Sequence, residues 1–417
     1  PGIRSSGSCA IANDFDRDGD LDLFVGGRFQ PLRYPESPES FLLQNNGRGN
    51  FRDITPTDMK RTGMVTSALW TDFDNDNWTD LIIAGEWMPI TFFKNQNGSL
   101  KKFEPQTPAK ETTVGWWNSL AAGDFDNDGD TDYIAGNLGL NSLYKASNEE
   151  PVCIYAKDFD GNGSLDPVLC RYVQGKEFIT HPRETLTEQI VGLRRVLTRY
   201  STYGKSTFAE IFPEEKLQGA LILRSTRFAS SFIENKGGGT FNFKTLPVAA
   251  QLSPMFGVVV TDFDSDGNLD VLSVGNSYST EPLTGFYDAG IGTCLRGDGR
   301  GNFEPVHVNK SGFFVDRDAK GLIEMRLGGD KVAWVATSNR DSLKVFESDG
   351  QSAVIVRLLP DDAFAEVTLA SGKKRKQEFH YGSSYLSQSS RILKLPPGVR
   401  DVFITNTKGV KRRSFPF

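Results

Sequence analysis

Residues 14–22 read DFDRDGDLD, and four similar segments begin at Asp72, Asp124, Asp158 and Asp262. Those four read DFDNDNWTD, DFDNDGDTD, DFDGNGSLD and DFDSDGNLD, and the copies run into short apolar stretches such as LFVGG, LIIAG or VLSVG. An internal repeat of this kind indicates an architecture assembled from similar structural units. The repeat therefore bears on both the fold and the chemistry of the chain.

The alternating aspartates of this segment suit a hard divalent cation. In the first copy, positions 1, 3, 5 and 9 are Asp14, Asp16, Asp18 and Asp22. Calcium takes six to eight oxygen ligands at about 2.3–2.6 Å, so four carboxylates and the carbonyl of position 7 meet most of its demand. Magnesium is the weaker candidate, because it loses water reluctantly and prefers an octahedral shell. Without a cation, the carboxylates of one turn would repel one another.

The five segments predict up to five calcium ions and no other cofactor, and no residue is predicted to be catalytic. Asn77 stands at position 6, where glycine would make the sharp turn at lower cost. Asn162 stands at position 5, and this neutral ligand makes the Asp158 site the weakest of the five. The predicted metal ligands are Asp14, Asp16, Asp18, Asp22, Asp72, Asp74, Asp76, Asp80, Asp124, Asp126, Asp128, Asp132, Asp158, Asp160, Asn162, Asp166, Asp262, Asp264, Asp266 and Asp270.

An EF-hand is excluded by position 12 and by the flanking sequence. That motif requires a bidentate glutamate at position 12 and a helix on each side of the loop. The flanks here are short runs of branched and aromatic residues, which favour strands. The acidic segments therefore join β-strands, and position 12 is occupied by Val25, Ile83, Ala135, Leu169 and Ser273.

A second repeat supplies the rest of a structural unit. It reads strand, Gly/Asn-rich turn and strand, which predicts a β-hairpin. One acidic loop and one hairpin together give about four strands, the size of a β-propeller blade. We therefore predict an all-β protein whose residues 1–350 form a β-propeller of seven blades, with six as the alternative. The hairpin segments are FLLQNNGRGNF (41–51), FFKNQNGSLKKF (92–103), SFIENKGGGTF (231–241) and CLRGDGRGNF (294–303).

Three stretches depart from this pattern. Within about 183–213, apolar residues recur at helical spacing and predict a small helical insert. Residues 320–350 alternate as strands without an acidic loop, which indicates a metal-free blade. Residues 351–417 are predicted to form a separate small β domain. Its Lys/Arg clusters at 373–376 and 411–413 are interpreted as solvated faces rather than a nucleic-acid site.

Composition excludes several other classes. The 417 residues carry a net charge of −6 and only three histidines, which argues against a histidine-based zinc site. No run of about 18 apolar residues predicts a membrane span. Four cysteines are too few for a disulfide scaffold. Cys153 and Cys170 flank the Asp158 loop and are either a disulfide or two buried thiols. Because the chain opens at Pro1, just before a repeat, we expect it to be part of a longer polypeptide.

The D-x-D-x-D-G-x-x-D loops and their apolar strands, over roughly residues 1–347, resemble FG-GAP/VCBS repeats, the repeats of the integrin α-subunit propeller. GEWMPI (85–90) and SPMFGVVVTDFDSDGNLD (253–270) resemble secreted proteins of Bacteroidetes-type bacteria that carry such repeats. Residues 382–409 are similar to the ASPIC/UnbV domain. The resemblance implies a calcium-stabilised propeller at the cell surface, and the expected location is extracellular, on the cell surface or in the periplasm. It implies no known reaction.

The first functional hypothesis is a binding or adhesion module for a glycan or a protein. Binding residues concentrate in loops carried by a rigid scaffold, and propellers present such loops on one face. Trp87, Trp116 and Trp117 lie just outside the repeats and are candidates for an aromatic platform. The alternative is that these three side chains fill the space between blades.

Two other hypotheses remain open. A polysaccharide lyase or hydrolase needs a base and a charge-neutralising group in a cleft. The cluster nominated for that chemistry is His181, Arg183, Tyr200 and Tyr203, although a lone histidine is more often structural. The third hypothesis is a structural spacer within a larger surface protein.

Overall fold

The computed structural model describes residues 6–107, 112–281, 284–328, 331–347 and 354–415. Pro1 and the predicted domain boundary between residues 350 and 351 lie outside these ranges. The described chain consists mainly of antiparallel β-strands, and its helices are short. The longest of them has seven residues, Arg183–Gln189. None of the helices in the described ranges is long and apolar enough to cross a bilayer.

The first two sheets are built from consecutive strands. The first sheet comprises β1 to β4, at Ser6–Asn13, Asp22–Phe29, Phe41–Asn45 and Phe51–Asp53. The second comprises β5 to β8, at Met64–Thr71, Asp80–Met88, Thr91–Asn95 and Leu100–Phe103, and the short β9, Gly115–Trp116, pairs with β6. Helix α1, Thr57–Lys60, lies between the two sheets along the chain. In each sheet an acidic loop joins the first two strands and a hairpin adds the other two, as predicted.

The third sheet has the same design but is interrupted. Strands β10 and β11, Ser119–Gly123 and Asp132–Gly136, are joined by the Asp124 loop. The hairpin that completes the sheet, β16 and β17, follows only at Ser231–Asn235 and Phe241–Thr245. Residues 137–230 are thus inserted between two neighbouring strands, and we call them the insert.

The insert contains a sheet of its own in the order β14-β13-β12-β15. The Asp158 loop joins β12 and β13 of this sheet, so it does not belong to the series of sheets that carry the other four loops. The four strands are Val152–Lys157 (β12), Asp166–Val173 (β13), Lys176–Ile179 (β14) and Leu221–Ser225 (β15).

The predicted helical region within the insert is broken into short pieces. The backbone leaves the helical conformation at Ile190, where φ is −118° and ψ is 86°. Leu186, Leu193 and Leu197 are buried as the spacing predicts, but Tyr200 is 66% exposed. The pieces are α2 (Arg183–Gln189), a 3-10 turn (Val191–Arg195), α3 (Tyr200–Tyr203), α4 (Phe208–Ile211) and α5 (Glu214–Leu217).

Two more sheets complete the series. The fourth sheet comprises β18 to β21, at Met255–Thr261, Asp270–Gly275, Thr293–Gly297 and Phe303–Pro305. A 3-10 turn (Val248–Gln251) precedes it and α6 (Val308–Ser311) follows it. The fifth has three strands and no acidic loop, as predicted: β22 to β24, at Ala319–Gly328, Lys331–Ser338 and Lys344–Glu347.

The described residues therefore form five sheets in series that are consistent with propeller blades, and the predictions of seven or six blades are wrong for this part of the chain. The physical reason is the insert, which contains the Asp158 loop in a sheet of its own outside the series. The first strands of successive sheets contact one another, from β1 through β5, β10 and β18 to β22. Strand β5 is buried along all eight residues because sheets cover both of its faces.

Residues 354–415 form further sheets with a core of their own, and we call them the C-terminal domain. Its core includes Val356, Val367 and Ile404. Strand β25 (Val354–Arg357) pairs with β28 (Ile392–Leu395). The other sheet has the order β27-β26-β29-β30, with strands at Asp362–Thr368 (β26), Lys374–Glu378 (β27), Asp401–Asn406 (β29) and Lys411–Phe415 (β30).

Part of the C-terminal domain touches both ends of the series of sheets. The Ala12 N–H of the first sheet donates to the carbonyl oxygen of Tyr381 over 3.1 Å. The Ser390 N–H donates to the carbonyl oxygen of Glu324 in the fifth sheet over 2.8 Å. Between them, the hydroxyl of Ser384 accepts from the Val258 N–H of the fourth sheet over 2.8 Å. Residues 381–390 therefore link the first sheet to the fourth and the fifth.

Asparagine side chains tie neighbouring sheets together beside the acidic loops. Asn95, at the end of β7, donates through Nδ2 to the carbonyl oxygen of Phe15 in the first sheet over 2.8 Å. Asn235, at the end of β16, donates in the same way to the carbonyl oxygen of Phe73 in the second sheet over 2.8 Å. Both asparagines are 1% exposed. Since Phe15 and Phe73 occupy position 2 of their loops, each bond joins one sheet to the loop of its predecessor.

We expect Asn95→Ala and Asn235→Ala each to lower the free energy of unfolding by about 1–3 kcal/mol, because a buried carbonyl oxygen loses its donor. Chemical denaturation monitored by circular dichroism measures the change. The matched control is Asn45→Ala, since the Asn45 amide donates to Leu21 within its own loop, near the surface. Equal losses in all three variants would contradict a role in joining the sheets.

Candidate metal centres

Each of the five acidic loops brings three aspartates together. In every group, the three carboxylates offer one oxygen each, and these oxygens all lie within 4.8 Å of one another. Four of the groups combine positions 1, 3 and 9, and the first loop combines positions 1, 3 and 5. The groups are Asp14-Asp16-Asp18, Asp72-Asp74-Asp80, Asp124-Asp126-Asp132, Asp158-Asp160-Asp166 and Asp262-Asp264-Asp270.

Backbone N–H groups hold the position-1 carboxylate in place. In the third sheet, Asp124 accepts from the Asp128 N–H over 3.2 Å and from the Gly129 N–H over 3.0 Å. Gly129 has φ of 98°, and Asn77 at the same position of the second loop has φ of 71°. The sharp turn at position 6 is therefore confirmed, and Asn77 adopts the left-handed conformation that costs a non-glycine residue more.

Position 4 also has a left-handed backbone, which was not predicted from the sequence. Its φ is 58° at Asn75 and 57° at Asn127, and the other copies carry Arg17, Gly161 and Ser265 with similar values. Asparagine and glycine tolerate this conformation best, so their presence at three of the five copies was the available signal. Two left-handed residues within six make the backbone curl around the position-1 carboxylate.

The position-9 carboxylate connects the loop to its hairpin. Asp80 accepts from the Phe73 N–H over 3.2 Å and from the Asn95 N–H over 2.6 Å. Asp132 makes the same two bonds with Phe125 and Asn235, at 3.1 and 2.8 Å. Burial, with a smaller contribution from neighbouring carboxylates, raises the pKa of Asp80 and of Asp132 to about 9. The negative charge at position 9 is thus costly when no cation is near.

Several loop carboxylates keep a buried oxygen without a hydrogen-bond partner. These atoms are Asp20 Oδ1, Asp22 Oδ2, Asp74 Oδ1 and Asp126 Oδ1. A buried anionic oxygen that receives no donor is destabilising unless a cation or water satisfies it. Clustered carboxylate oxygens are the ligands that calcium prefers, so the residues present fit that ion. Bound calcium would supply positive charge to Asp22 and Asp126, whereas the Asp74 carboxylate already pairs with Lys94.

The Asp158 loop differs from the others in its exposure. Asp158 accepts from the N–H groups of Gly161, Asn162 and Gly163, and these bonds lower its pKa. Asp160 is exposed, and only Asp166 of the group is buried. With a low cost of negative charge and a neutral ligand at position 5, this loop gains little from a cation, and its ranking as the weakest site stays a prediction.

The C-terminal domain lies against the other acidic loops. The Lys376 N–H donates to Asp124 Oδ2 over 2.9 Å, and the Lys376 ammonium is 3.1 Å from Asp72 Oδ2. The Thr407 hydroxyl donates to Asp14 Oδ2 over 3.0 Å. In addition, Lys394 donates to the carbonyl oxygen of Asp262. A position-1 aspartate of each of the four loops therefore contacts this domain.

The basic cluster at 373–376 was interpreted as a solvated face, and that interpretation is wrong for two of its residues. Arg375 is 1% exposed and Lys376 is 5% exposed. Both lie on β27, which faces the acidic loops of the second, third and fourth sheets. Lys374 is exposed, as expected. The sequence offered no local signal for this burial, because the partner carboxylates are about 100 to 300 residues away.

The candidate aromatic platform is not formed. Trp117 is fully buried and Trp87 is 6% exposed. Trp87 and Trp116 pack against each other with ring centroids 5.0 Å apart, and Trp116 also contacts Tyr144 and Phe228 of the insert. Trp87 and Trp116 fill the space between the second sheet and the insert, and Trp117 packs between the second and third sheets, which was the alternative interpretation.

The residues nominated for lyase or hydrolase chemistry use their polar groups within the insert. His181 Nε2 accepts from the Leu169 N–H over 3.0 Å. The Tyr203 hydroxyl donates to the carbonyl oxygen of His181, and the Arg183 side chain donates to that of Leu197. Tyr200 lies under the Arg183 guanidinium at 5.3 Å. The arrangement supports the insert and assembles no base with a charge-neutralising partner.

Of the two alternatives for the cysteines beside the Asp158 loop, a disulfide or two buried thiols, the structure shows two thiols. Cys153 and Cys170 are directly opposite each other on β12 and β13, as their spacing around the Asp158 loop indicated. Both are buried free thiols in this structure. They pack in the apolar core of the insert with Leu186, Phe208 and their neighbours.

We expect Lys376→Met to lower the free energy of unfolding by about 3–5 kcal/mol, because it leaves the buried Asp72 carboxylate without its ammonium partner. A thermal or denaturant melt measures the loss. Lys374→Met is the matched control on the same strand, where the side chain is exposed, and its effect should stay within about 0.5 kcal/mol. Similar losses for both variants would show that the strand, and not the ion pair, determines the effect.

Comparison with known proteins supports the repeat. Residues 14–83 and 72–135 match the FG-GAP-like repeat, and a search of curated proteins found no match. The solved structure of the exotype rhamnogalacturonan lyase YesX is similar at 11% identity and a TM-score of 0.35, covering 97% of this chain and 67% of the lyase. The V. cholerae biofilm matrix protein Bap1 is similar at 12% identity and a TM-score of 0.29, covering 99% of this chain and 59% of that protein. Both TM-scores are below 0.5, whereas the matched segments show that the chain contains FG-GAP-like repeats.

Proposed function

We propose that this chain is a calcium-binding β-propeller module that acts outside the cytosol and binds a glycan or a protein. The observation that carries the calcium assignment is the set of buried loop oxygens without a donor, Asp22 Oδ2 and Asp126 Oδ1 among them, in groups of converging carboxylates. The match of residues 14–135 to FG-GAP-like repeats supports it, since three of the loops lie in that span.

Each calcium ion would stabilise the folded state through mass action. An ion that binds only the folded chain adds about 2.7 kcal/mol when its concentration is a hundredfold above Kd. Extracellular calcium modules commonly have Kd values of about 10⁻⁴–10⁻³ M, which cytosolic calcium would not fill. This concentration range is the reason for proposing a secreted, cell-surface or periplasmic location.

The ligand surface is proposed at the strand ends opposite the acidic loops. The C-terminal domain contacts the loop ends of four sheets, so it already covers those ends. At the opposite ends, apolar side chains project into solvent, with Leu32 95% exposed and Phe286 63% exposed. These residues lie in the connections that follow β2 and β19. Apolar side chains on exposed connections suit a glycan ring or a protein surface.

We expect calcium to raise the melting temperature of the chelator-treated chain, and magnesium at equal concentration to raise it less. Asp126→Asn with Asp128→Asn should reduce that rise and leave the melt in chelator nearly unchanged, because the two side chains act through the ion. Differential scanning calorimetry of both proteins in chelator, calcium and magnesium makes the comparison. An equal drop in chelator would assign these carboxylates to local hydrogen bonds, and no calcium effect on the unaltered chain would overturn the proposal.

A further inference from the structure

Two lysine side chains from other strands, Lys94 of β7 and Lys376 of β27, place their ammonium groups at the Asp72 loop. They contact carboxylates that were predicted to bind the ion. Lys94 forms an ion pair with Asp74 at position 3 and lies 3.2 Å from Asp76 at position 5. Lys376 lies 3.1 Å from Asp72 at position 1. Three of the four predicted ligands of this loop therefore already have a cationic partner from the chain itself.

Within the described part of the four sheets, Lys94 alone forms a direct ion pair with its loop carboxylates from this place in the third strand. Lys94 immediately precedes the asparagine that ends the third strand of its sheet, and the equivalent residues are Gln44, Glu234 and Arg296. Gln44 donates an uncharged amide to Asp16 over 2.7 Å. Glu234 is itself an anion, paired with two lysines. Arg296 pairs directly with Glu304 over 2.7 Å, and Asp264 and Asp266 of its loop act on it electrostatically without a direct ion pair.

The Lys376 side chain is buried against the same loop. Its ammonium donates to the carbonyl oxygen of Asp72 over 3.1 Å and to Asn75 Oδ1 over 2.6 Å, besides its contact with the Asp72 carboxylate. The side chain is 5% exposed, so solvent screens these contacts little. Asn75 is at position 4 of the loop, so the Lys376 ammonium bridges positions 1 and 4. These positions belong to the turn of backbone that would surround an ion.

We infer that the Asp72 loop is not a calcium site but a lysine-neutralised ion-pair centre that fastens the C-terminal domain to the second sheet. A divalent ion among Asp72, Asp74 and Asp80 would be repelled by both ammonium groups at short range. Asn77 at position 6 makes the turn costlier here than in the loops with glycine. The free oxygen of Asp74 remains, but its other oxygen is already bound to Lys94. The inference rests on the calcium binding proposed for the other loops.

Counting bound calcium tests the inference on the full chain. The protein is stripped with chelator, dialysed against millimolar calcium, and analysed for ions per chain by atomic emission. Asp126→Asn with Asp128→Asn changes positions 3 and 5 of the third sheet and should lose one ion. Asp74→Asn with Asp76→Asn changes the same positions of the second sheet and should lose none. Loss of one ion from this second variant would overturn the inference.

Removing both ammonium groups provides an independent measurement if the aspartate variant does not fold. Lys94→Gln introduces the residue that the first sheet has at the same place, and we expect Lys94→Gln with Lys376→Met to gain one calcium ion per chain. No gain would contradict the role given to the two lysines. An unaltered chain that binds no calcium would overturn the proposed function and this inference with it. Calcium bound normally, but lost from the Asp74 and Asp76 variant, would overturn the inference alone.

Discussion

The structure depends on the burial of negative charge at one end of its sheets. Four acidic loops lie at equivalent ends of four sheets, and their position-9 aspartates are fully buried. Each of these aspartates connects a loop to the third strand of its sheet, so the charge cannot be removed without loosening the hairpin. Backbone N–H groups, two lysines and the proposed ions offset the repulsion in different proportions from loop to loop. The position of the C-terminal domain follows from this constraint, because β27 supplies cationic groups to those loop ends.

Loops and hairpins were predictable because their signals are local and repeated. The acidic segment DFDNDGDTD and the hairpin SFIENKGGGTF each specify their strands within about ten residues. The same locality predicted the turn at position 6 and the buried stripe of Leu186, Leu193 and Leu197. What the local pattern could not show is which hairpin completes which sheet.

The errors share one physical cause, which is pairing between distant residues. Tyr133 pairs with Ile233 across the insert, and no feature of either strand indicates the interruption. The Asp158 loop has the same local pattern as the others, although its sheet belongs to the insert. Likewise, Lys376 belongs to a short basic run whose charge suggested solvent, whereas its partner Asp72 lies in the second sheet. A pattern restricted to neighbours in sequence does not contain this information.

The interruption of the third sheet also bears on how the chain reaches its structure. Strands β5 to β8 lie close together in sequence, so the second sheet forms from short-range contacts. The hairpin that completes the third sheet follows β11 only after about a hundred further residues. Closing so long a loop slows folding. During synthesis, β10 and β11 therefore present an unpaired edge to solvent, which is a hazard for association with other chains. The insert contains its own sheet and apolar core, so it can fold as a unit and shorten the distance that the returning chain must search.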